Sequence, residues 1–314
     1  MPNYNGVWSL TTQYQYAADW SADNISPATA IANGIAIISN ASGLQTVSVA
    51  TAGNSTDFGD FTDQRGKGGG FGSTTRGIVG GGNGGPVNVI DFITFTSAGD
   101  ATDFGNLTVA REEVTAHSSS TRGLVAGGDT GSVSDVVDYV TIASAGNATD
   151  FGNLAAANTS PSGAGSSVRM VVGGGIEGSI TNRIQYFTIS STGNATDFGD
   201  LSAARQQGDA LSNATRTVFT GGYESSETNK LEFVTTGTTG NVTDFGDLSE
   251  ATRRLASTSN ATRGIMAGGS GTNLRSKIEF ITIASAGNSA SFGNLLATTD
   301  SCNSGFSSAH GGLQ

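Results

Sequence analysis

Cysteine occurs once, at Cys302, so one copy of the chain can form neither a disulfide nor a thiolate metal site. An oxidising compartment is therefore neither required nor excluded. Histidine occurs only at His117 and His310, too few for a copper centre built on several imidazoles. Charged residues make up only 13% of the chain, only three of them are lysine, and the formal net charge is -11. A nucleic-acid or anionic-membrane partner needs a basic face, so neither is expected. Tryptophan is confined to Trp8 and Trp20. No apolar run of 18 or more residues and no leader pattern is visible, so the expectation is a soluble chain starting near Met1.

What the chain has instead is glycine, 47 of them, together with Ser, Thr, Asn and Ala. That composition suits short strands joined by tight turns and offers little to long helices. Much of it sits in one recurring string, GNATDFGDL at Gly193 to Leu201. The phenylalanines of that string are Phe58, Phe104, Phe151, Phe198, Phe245 and Phe292, spaced by 46, 47, 47, 47 and 47 residues. Self-similarity at such a period means a solenoid, a propeller or an array.

Each unit divides into four short strands. The third unit reads VTAHSSS, then RGLVAGG ending in a glycine pair, a loop DTGSVS, DVVDYVTIA, the turn SAGNAT and DFGNL. The third strand keeps Ile90, Val137, Ile184, Leu231 and Ile278 in register, and likewise Phe92, Tyr139, Tyr186, Phe233 and Phe280. Apolar positions on both faces predict a strand covered from both sides. The first strand is small or polar in every unit, which fits crowding about a central axis. A ring of four-stranded antiparallel blades meets both conditions. The first unit shows strands two to four but no strand one, whereas the chain ends on CNSGFSSAHGG, which resembles strand one alone. The expected fold is thus an all-β, six-bladed propeller over residues 33–314, closed by its C-terminal strand and preceded by an aromatic extension at 1–32. Closure removes the open sheet edges that invite aggregation.

The hydrophobic strand ending in Gly127-Gly128, Gly221-Gly222 or Gly268-Gly269, the aromatic third strand, the aromatic fourth strand, and the following Ala110-Arg111 or Ala204-Arg205 resemble Kelch-type β-propeller repeats. The sequence departs from that pattern in carrying Phe where such repeats usually have Trp, and Asn158 where Arg is expected. The resemblance implies the fold and leaves the function open. The GNATDFGNL repeats and the opening GVWSLTTQYQYA are also similar to structural proteins of marine bacteriophages. That second resemblance implies a virion location, with other virion proteins as partners.

Several strings have plain readings. The DFG triplet recurs five times without a phosphate loop, Val-Ala-Ile-Lys or His-Arg-Asp, so it is not a kinase element. The Asp57, Asp103, Asp150, Asp197 and Asp244 series runs parallel to Arg76, Arg122, Arg169, Arg216 and Arg263, one of each per unit. Charges repeated in register are read as structural, in turns or between blades, with calcium at loops such as Asp197 to Asp200 the second reading. Glycine runs such as Gly80 to Gly85 lead into no helix and are not phosphate cradles. His117 is read as a polar filler of the axial channel.

No triad or metal set can be nominated, so the chain is expected to be non-enzymatic, without cofactor or metal. In such a blade the loops after strand two share a face with those before strand one, and these loops differ from unit to unit. A ligand, either a cell-surface glycan or a protein, is expected on that face near Asp129, Glu177, Tyr223, Glu224, Arg253, Arg254 and Arg275. The extension holds Tyr4, Trp8, Tyr14, Tyr16 and Trp20 beside a single charge among residues 3–20, Asp19. Such residues belong to the buried centres of interfaces, so it is read as an anchor on a larger assembly, with an intrachain plug or a homo-oligomer arm as alternatives. A bacterial surface or adhesion propeller is the alternative role, with a glycan-active enzyme behind it.

Overall fold

A computed structural model describes residues 34–40, 43–82, 85–271, 275–299 and 302–313. The aromatic extension at 1–32, with Tyr4, Trp8, Tyr14, Tyr16 and Trp20, lies outside the described residues. Among the described residues, 24 strands form six four-stranded antiparallel sheets. Blade one holds β1 (Ile35–Asn40), β2 (Gly43–Ser48) and β3 (Thr56–Gly59). Blade two is β4 (Gly69–Gly72), β5 (Arg76–Gly80), β6 (Val87–Thr94) and β7 (Thr102–Arg111). Blade three is β8 (Thr115–Ser118), β9 (Arg122–Ala126), β10 (Val136–Thr141) and β11 (Thr149–Asn153). Blade four is β12 (Ser162–Gly165), β13 (Arg169–Gly173), β14 (Arg183–Thr188) and β15 (Thr196–Asp200). Blade five is β16 (Asp209–Ser212), β17 (Arg216–Thr220), β18 (Lys230–Thr235) and β19 (Thr243–Asp247). Blade six is β20 (Ala256–Ser259), β21 (Arg263–Ala267), β22 (Arg275–Thr282) and β23 (Ala290–Thr299).

The final strand, β24 (Cys302–Ser307), pairs with β1, Ile37 opposite Phe306 and Ile38 opposite Gly305, and so supplies the innermost strand of blade one. The innermost strands β4, β8, β12, β16, β20 and β24 touch in a closed circle. The chain is a six-bladed β-propeller closed by its C-terminal strand. Small residues in strand one are required by this crowding: a Cβ on Gly69 of β4 would lie 2.8 Å from that of Ala116 on β8 in the next blade.

The core lies between blades. The six repeat phenylalanines are all buried, and each from Phe104 to Phe292 meets the third-strand aromatic of its own blade edge-to-face, at 6.0 Å for Phe92 and Phe104 and 5.9 Å for Tyr186 and Phe198. Such contacts contribute about 0.5–1.5 kcal/mol each beyond the area they bury. The repeated arginines stack on the same aromatics, Arg122 4.4 Å from the Tyr139 ring and Arg263 4.7 Å from that of Phe280. Their Nη1 atoms donate to carbonyls at the end of the next blade's third strand, Arg76 to Ile142 and Ala143, Arg216 to Ile283, and Arg263 to Val49. Blade one has Ile35 and Thr46 at the two positions, so arginine and aromatic are absent together. The parallel Asp series is exposed on the fourth strand, and among the described residues it forms no ion pair with these arginines.

The SAGNAT turn also serves the neighbouring blade. Gly146 N–H donates to Phe104 O at 2.7 Å, and Asn147 Oδ1 accepts from Asn106 N–H at 3.0 Å. The Asn54, Asn194, Asn241 and Asn288 carboxamides and the Asp100 carboxylate do the same at the other five junctions. Each outer strand is thereby covered, and the glycine of DFG is needed because its missing Cβ would strike the neighbouring turn, Gly146 O lying 2.5 Å from a Cβ built on Gly105.

A second arginine series runs through the buried linkers between blades. Arg65 meets Asp91 at 2.8 Å, Arg111 meets Asp138 at 2.7 Å and Arg205 meets Glu232 at 3.0 Å. Arg111 Nη1 also donates to Gly127 O, the first carbonyl of the glycine pair. Where Asn158 replaces arginine, its Nδ2 donates to Gly174 O, and the acid's place is taken by Gln185, whose Oε1 accepts from Ala155 N–H. At this junction neither partner is charged.

Candidate functional site

Among the described residues, five of the loops that enter strand one carry a residue pair: Gly66-Lys67, Glu112-Glu113, Thr159-Ser160, Gln206-Gln207 and Arg253-Arg254. In the last four the first member bridges to the loop after strand two, Glu112 to Asp129, Thr159 to Ile176, Gln206 to Tyr223 and Arg253 to Ser270, so these two loop sets form one face. The second member turns toward the axis in the left-handed region, with φ of 59° at Lys67, 55° at Glu113, 54° at Ser160, 54° at Gln207 and 55° at Arg254. Such a conformation costs a non-glycine residue about 1–3 kcal/mol. It is held by main-chain hydrogen bonds that run from blade to blade. Glu113 N–H donates to Lys67 O, Ser160 to Glu113, Gln207 to Ser160 and Arg254 to Gln207, at 2.7–3.2 Å.

This chain of bonds lines the mouth of an axial cavity that opens to solvent. Lys67 Nζ lies 2.7 Å from Glu113 Oε1 and 3.7 Å from Glu112. Ser160 Oγ and Thr159 Oγ1 both donate to Glu113 Oε2. Burial pushes the Glu113 carboxyl up, but the Lys67 and Ser160 hydrogen bonds, with the Lys67 charge and the Thr159 bond, bring it below the usual carboxylate range. One tier down, the column Gly69, Thr115, Ser162, Asp209, Ala256, Ser304 places a single carboxylate in the wall. Asp209 accepts from the main-chain N–H groups of Ala210 and Ser257. Part of its surface faces the cavity, yet burial outweighs those bonds and lifts its carboxyl to about 7.

The other end of the channel is stopped. A deeper chamber, lined in part by Phe71, His117, Thr258 and Phe306, ends on His310 and the short 3-10 turn Gly311–Leu313. His310 Nε2 donates to Gly72 O at 3.0 Å while its Nδ1 accepts from Gly312 N–H, and the ring stands 5.4 Å from that of His117. Burial holds both imidazoles neutral, His117 at about 3 with the His310 charge adding to the effect, and His310 at about 4. His117 therefore lines the channel at its stopped end, two residues along β8 from Thr115 of the mouth tier.

The residues expected to bind divide into groups. Arg254 lines the cavity, and among the described residues its guanidinium has no ion-pair partner. Tyr223 and Arg253 meet on the rim, the guanidinium 5.2 Å above the ring, and Arg253 also reaches Glu227 at 3.4 Å. Glu224 is tied to Lys230 at 2.9 Å and Glu177 to Arg183 at 3.5 Å, with burial raising the Glu177 carboxyl against the Arg183 charge. Asp129 caps its own loop by accepting from Gly131 N–H, and Arg275 pairs with Glu250. Lys67, Glu113 and Asp209 were not among the expected residues. A visible signal existed for Asp209, the lone acid in a column of small side chains. For the other two, the loop pairs differ in chemistry from unit to unit and share only a backbone conformation. Among the described residues, no cluster of three or more metal-ligating side chains occurs. No protein-family model matches the chain, and no curated protein does either.

Proposed function

We propose that this chain is a non-enzymatic recognition propeller, displayed on a bacteriophage particle and binding a host-surface glycan or protein through the face that carries the axial mouth. One observation carries the recognition reading. Side chains that break the sixfold repeat, charged ones above all, converge on the open end of the channel, while the opposite end is filled by residues 310–313. The particle location is supported by the phage-like GNATDFGNL repeats and by the aromatic segment of Tyr4, Trp8, Tyr14, Tyr16 and Trp20, read as the anchor to other virion proteins. The Kelch-like features support the fold and leave the ligand open.

The test is binding of the purified protein to a glycan array and to a panel of bacterial cells. Replacing Tyr223, Arg253 and Arg275 together with alanine is expected to abolish it, and unchanged binding would remove the reading. Mass spectrometry of purified particles tests the location, since absence of the chain from virions would favour the bacterial adhesion propeller. A glycan-active enzyme is the second reading, favoured by two carboxyls of opposite displacement, Glu113 lowered and Asp209 raised, in one cavity. Turnover of chromogenic glycosides that is lost in Asp209→Asn would favour it.

A further inference from the structure

We propose that the axial cavity is a binding site for one mono-anionic sugar residue, which enters along the ring axis with its acid group at Arg254 and its hydroxyls against the tier of Thr115, Asp209 and Ser304. The inference rests on the recognition reading and assigns it a ligand class. Three observations lead to it. Lys67 is already paired with Glu113, whereas Arg254 lines the same cavity and, among the described residues, has no acidic partner. One uncompensated guanidinium calls for one negative charge on the ligand, since its planar donors suit a carboxylate or a sulfate.

The second observation is the charge that surrounds it. Glu113 and Asp209 face the same space, so a doubly charged phosphate monoester would meet two carboxyls for one free cation. A singly charged carboxylate or sulfate ester avoids that repulsion. The third is the wall. Hydroxyls of Thr115, Ser160 and Ser304, the Gln207 amide and main-chain groups exposed by glycines line the mouth, with no aromatic side chain among the described lining residues. A flat base would find no stacking platform there, while a ring of hydroxyls finds both donors and acceptors. Below them, Thr258 Oγ1 is buried without a hydrogen-bond partner among the described residues and lines the next chamber, available to a hydroxyl group.

Ligand-detected NMR and calorimetry on the full chain, with sodium glucuronate, glucose 6-sulfate and glucose, test the proposal. At least one acidic sugar should bind, and glucose roughly tenfold or more weakly than it. Arg254→Gln should lower that affinity by a similar factor, while Arg254→Lys, which keeps the charge and loses the planar donors, should fall between the two. The melting temperature of each variant shows whether the propeller is intact. Whichever acid binds identifies the source of the charge. Glucose binding as tight as either acid, binding indifferent to Arg254→Gln in a folded protein, or no binding of either acid would overturn the proposal. Failure of the recognition reading looks different, because it is read from cells and from the rim residues Tyr223, Arg253 and Arg275, none of which this experiment alters.

Discussion

Arg111 and Asp138 are both fully enclosed, which makes each of them costly without the other. Burial pulls the Arg111 guanidinium below its ordinary value against the opposing charge and hydrogen bond of Asp138, so the pair survives only as a pair. The unit with Asn158 and Gln185 shows a second solution to the same junction, in which two amides make the main-chain bonds and no charge is buried. Asp138→Asn alone is therefore expected to cost about 3–5 kcal/mol in urea unfolding. Arg111→Asn combined with Asp138→Gln should recover most of that loss. A double variant as unstable as the sum of the two single changes would show that the amide pair is not an equivalent junction.

Three titrating groups make stability depend on pH in opposite directions. His117 and His310 fall from 6.5 to about 3 and about 4 on folding, so their contribution is complete above pH 6.5 and is lost as pH falls through the folded values. Asp209 rises from 3.8 to about 7, so its contribution is complete below pH 4 and is lost as pH rises toward 7. Between pH 4 and 6.5 two protons favour the unfolded chain and one favours the folded, so acid should destabilise with a net slope of about one proton, near 1.4 kcal/mol per pH unit. Melting curves across that range should show His310→Gln flattening the decline and Asp209→Asn steepening it. The same carboxyl faces Lys67, Glu113 and Arg254 across the cavity, so an acidic sugar should bind more weakly as pH rises through 7 in the parent chain and not in Asp209→Asn.

At the scale of the strand, Phe151 is held between Tyr139 and Phe187, with ring centroids at 6.0 and 5.8 Å. Phe151→Ala should cost about 3–5 kcal/mol by the denaturant midpoint, because blades on both sides prevent the cavity from collapsing. A loss below 1 kcal/mol would show that this seam relaxes. The strands, their order and the buried positions could all be read from the chain, since a fixed period repeats the same apolar positions six times over and the crowded axis demands small residues. The partners across each seam could not. Asn147 reads locally as a turn former, yet it serves Asn106 in the preceding blade, 41 residues away. Arg122 reads as one more charge in register, and only the fold shows it lying on Tyr139 while bonded to Ile189. The mouth was harder still, because the repeat conserves there a backbone conformation and varies the side chain.

For the whole molecule, closure depends on one strand contributed from the far end of the chain. The β24 strand supplies the inner edge of blade one, its Phe306 enters the core with Ile37 and Phe95, and Ser307 Oγ donates to Ser259 O of blade six. Beyond it, residues 309–313 only stop the channel, packing against the inner strands β8, β12 and β16. Two deletions separate these roles. Removing 302–314 opens a sheet edge in blade one and exposes the apolar seams on both its sides, so the cooperative thermal transition should be lost or fall far below that of the full chain. Removing 309–314 should leave six complete blades, lower the melting temperature modestly, and abolish the acid-dependent share of stability that His310 brings. It should also turn a blind cavity into a through channel. An acidic sugar held at the mouth by Arg254 would still bind to the shorter deletion, whereas one that depends on the closed floor would not. Equal melting temperatures for the full chain and the 302–314 deletion would mean that the ring does not need its last strand, and the closure argument would fall with them.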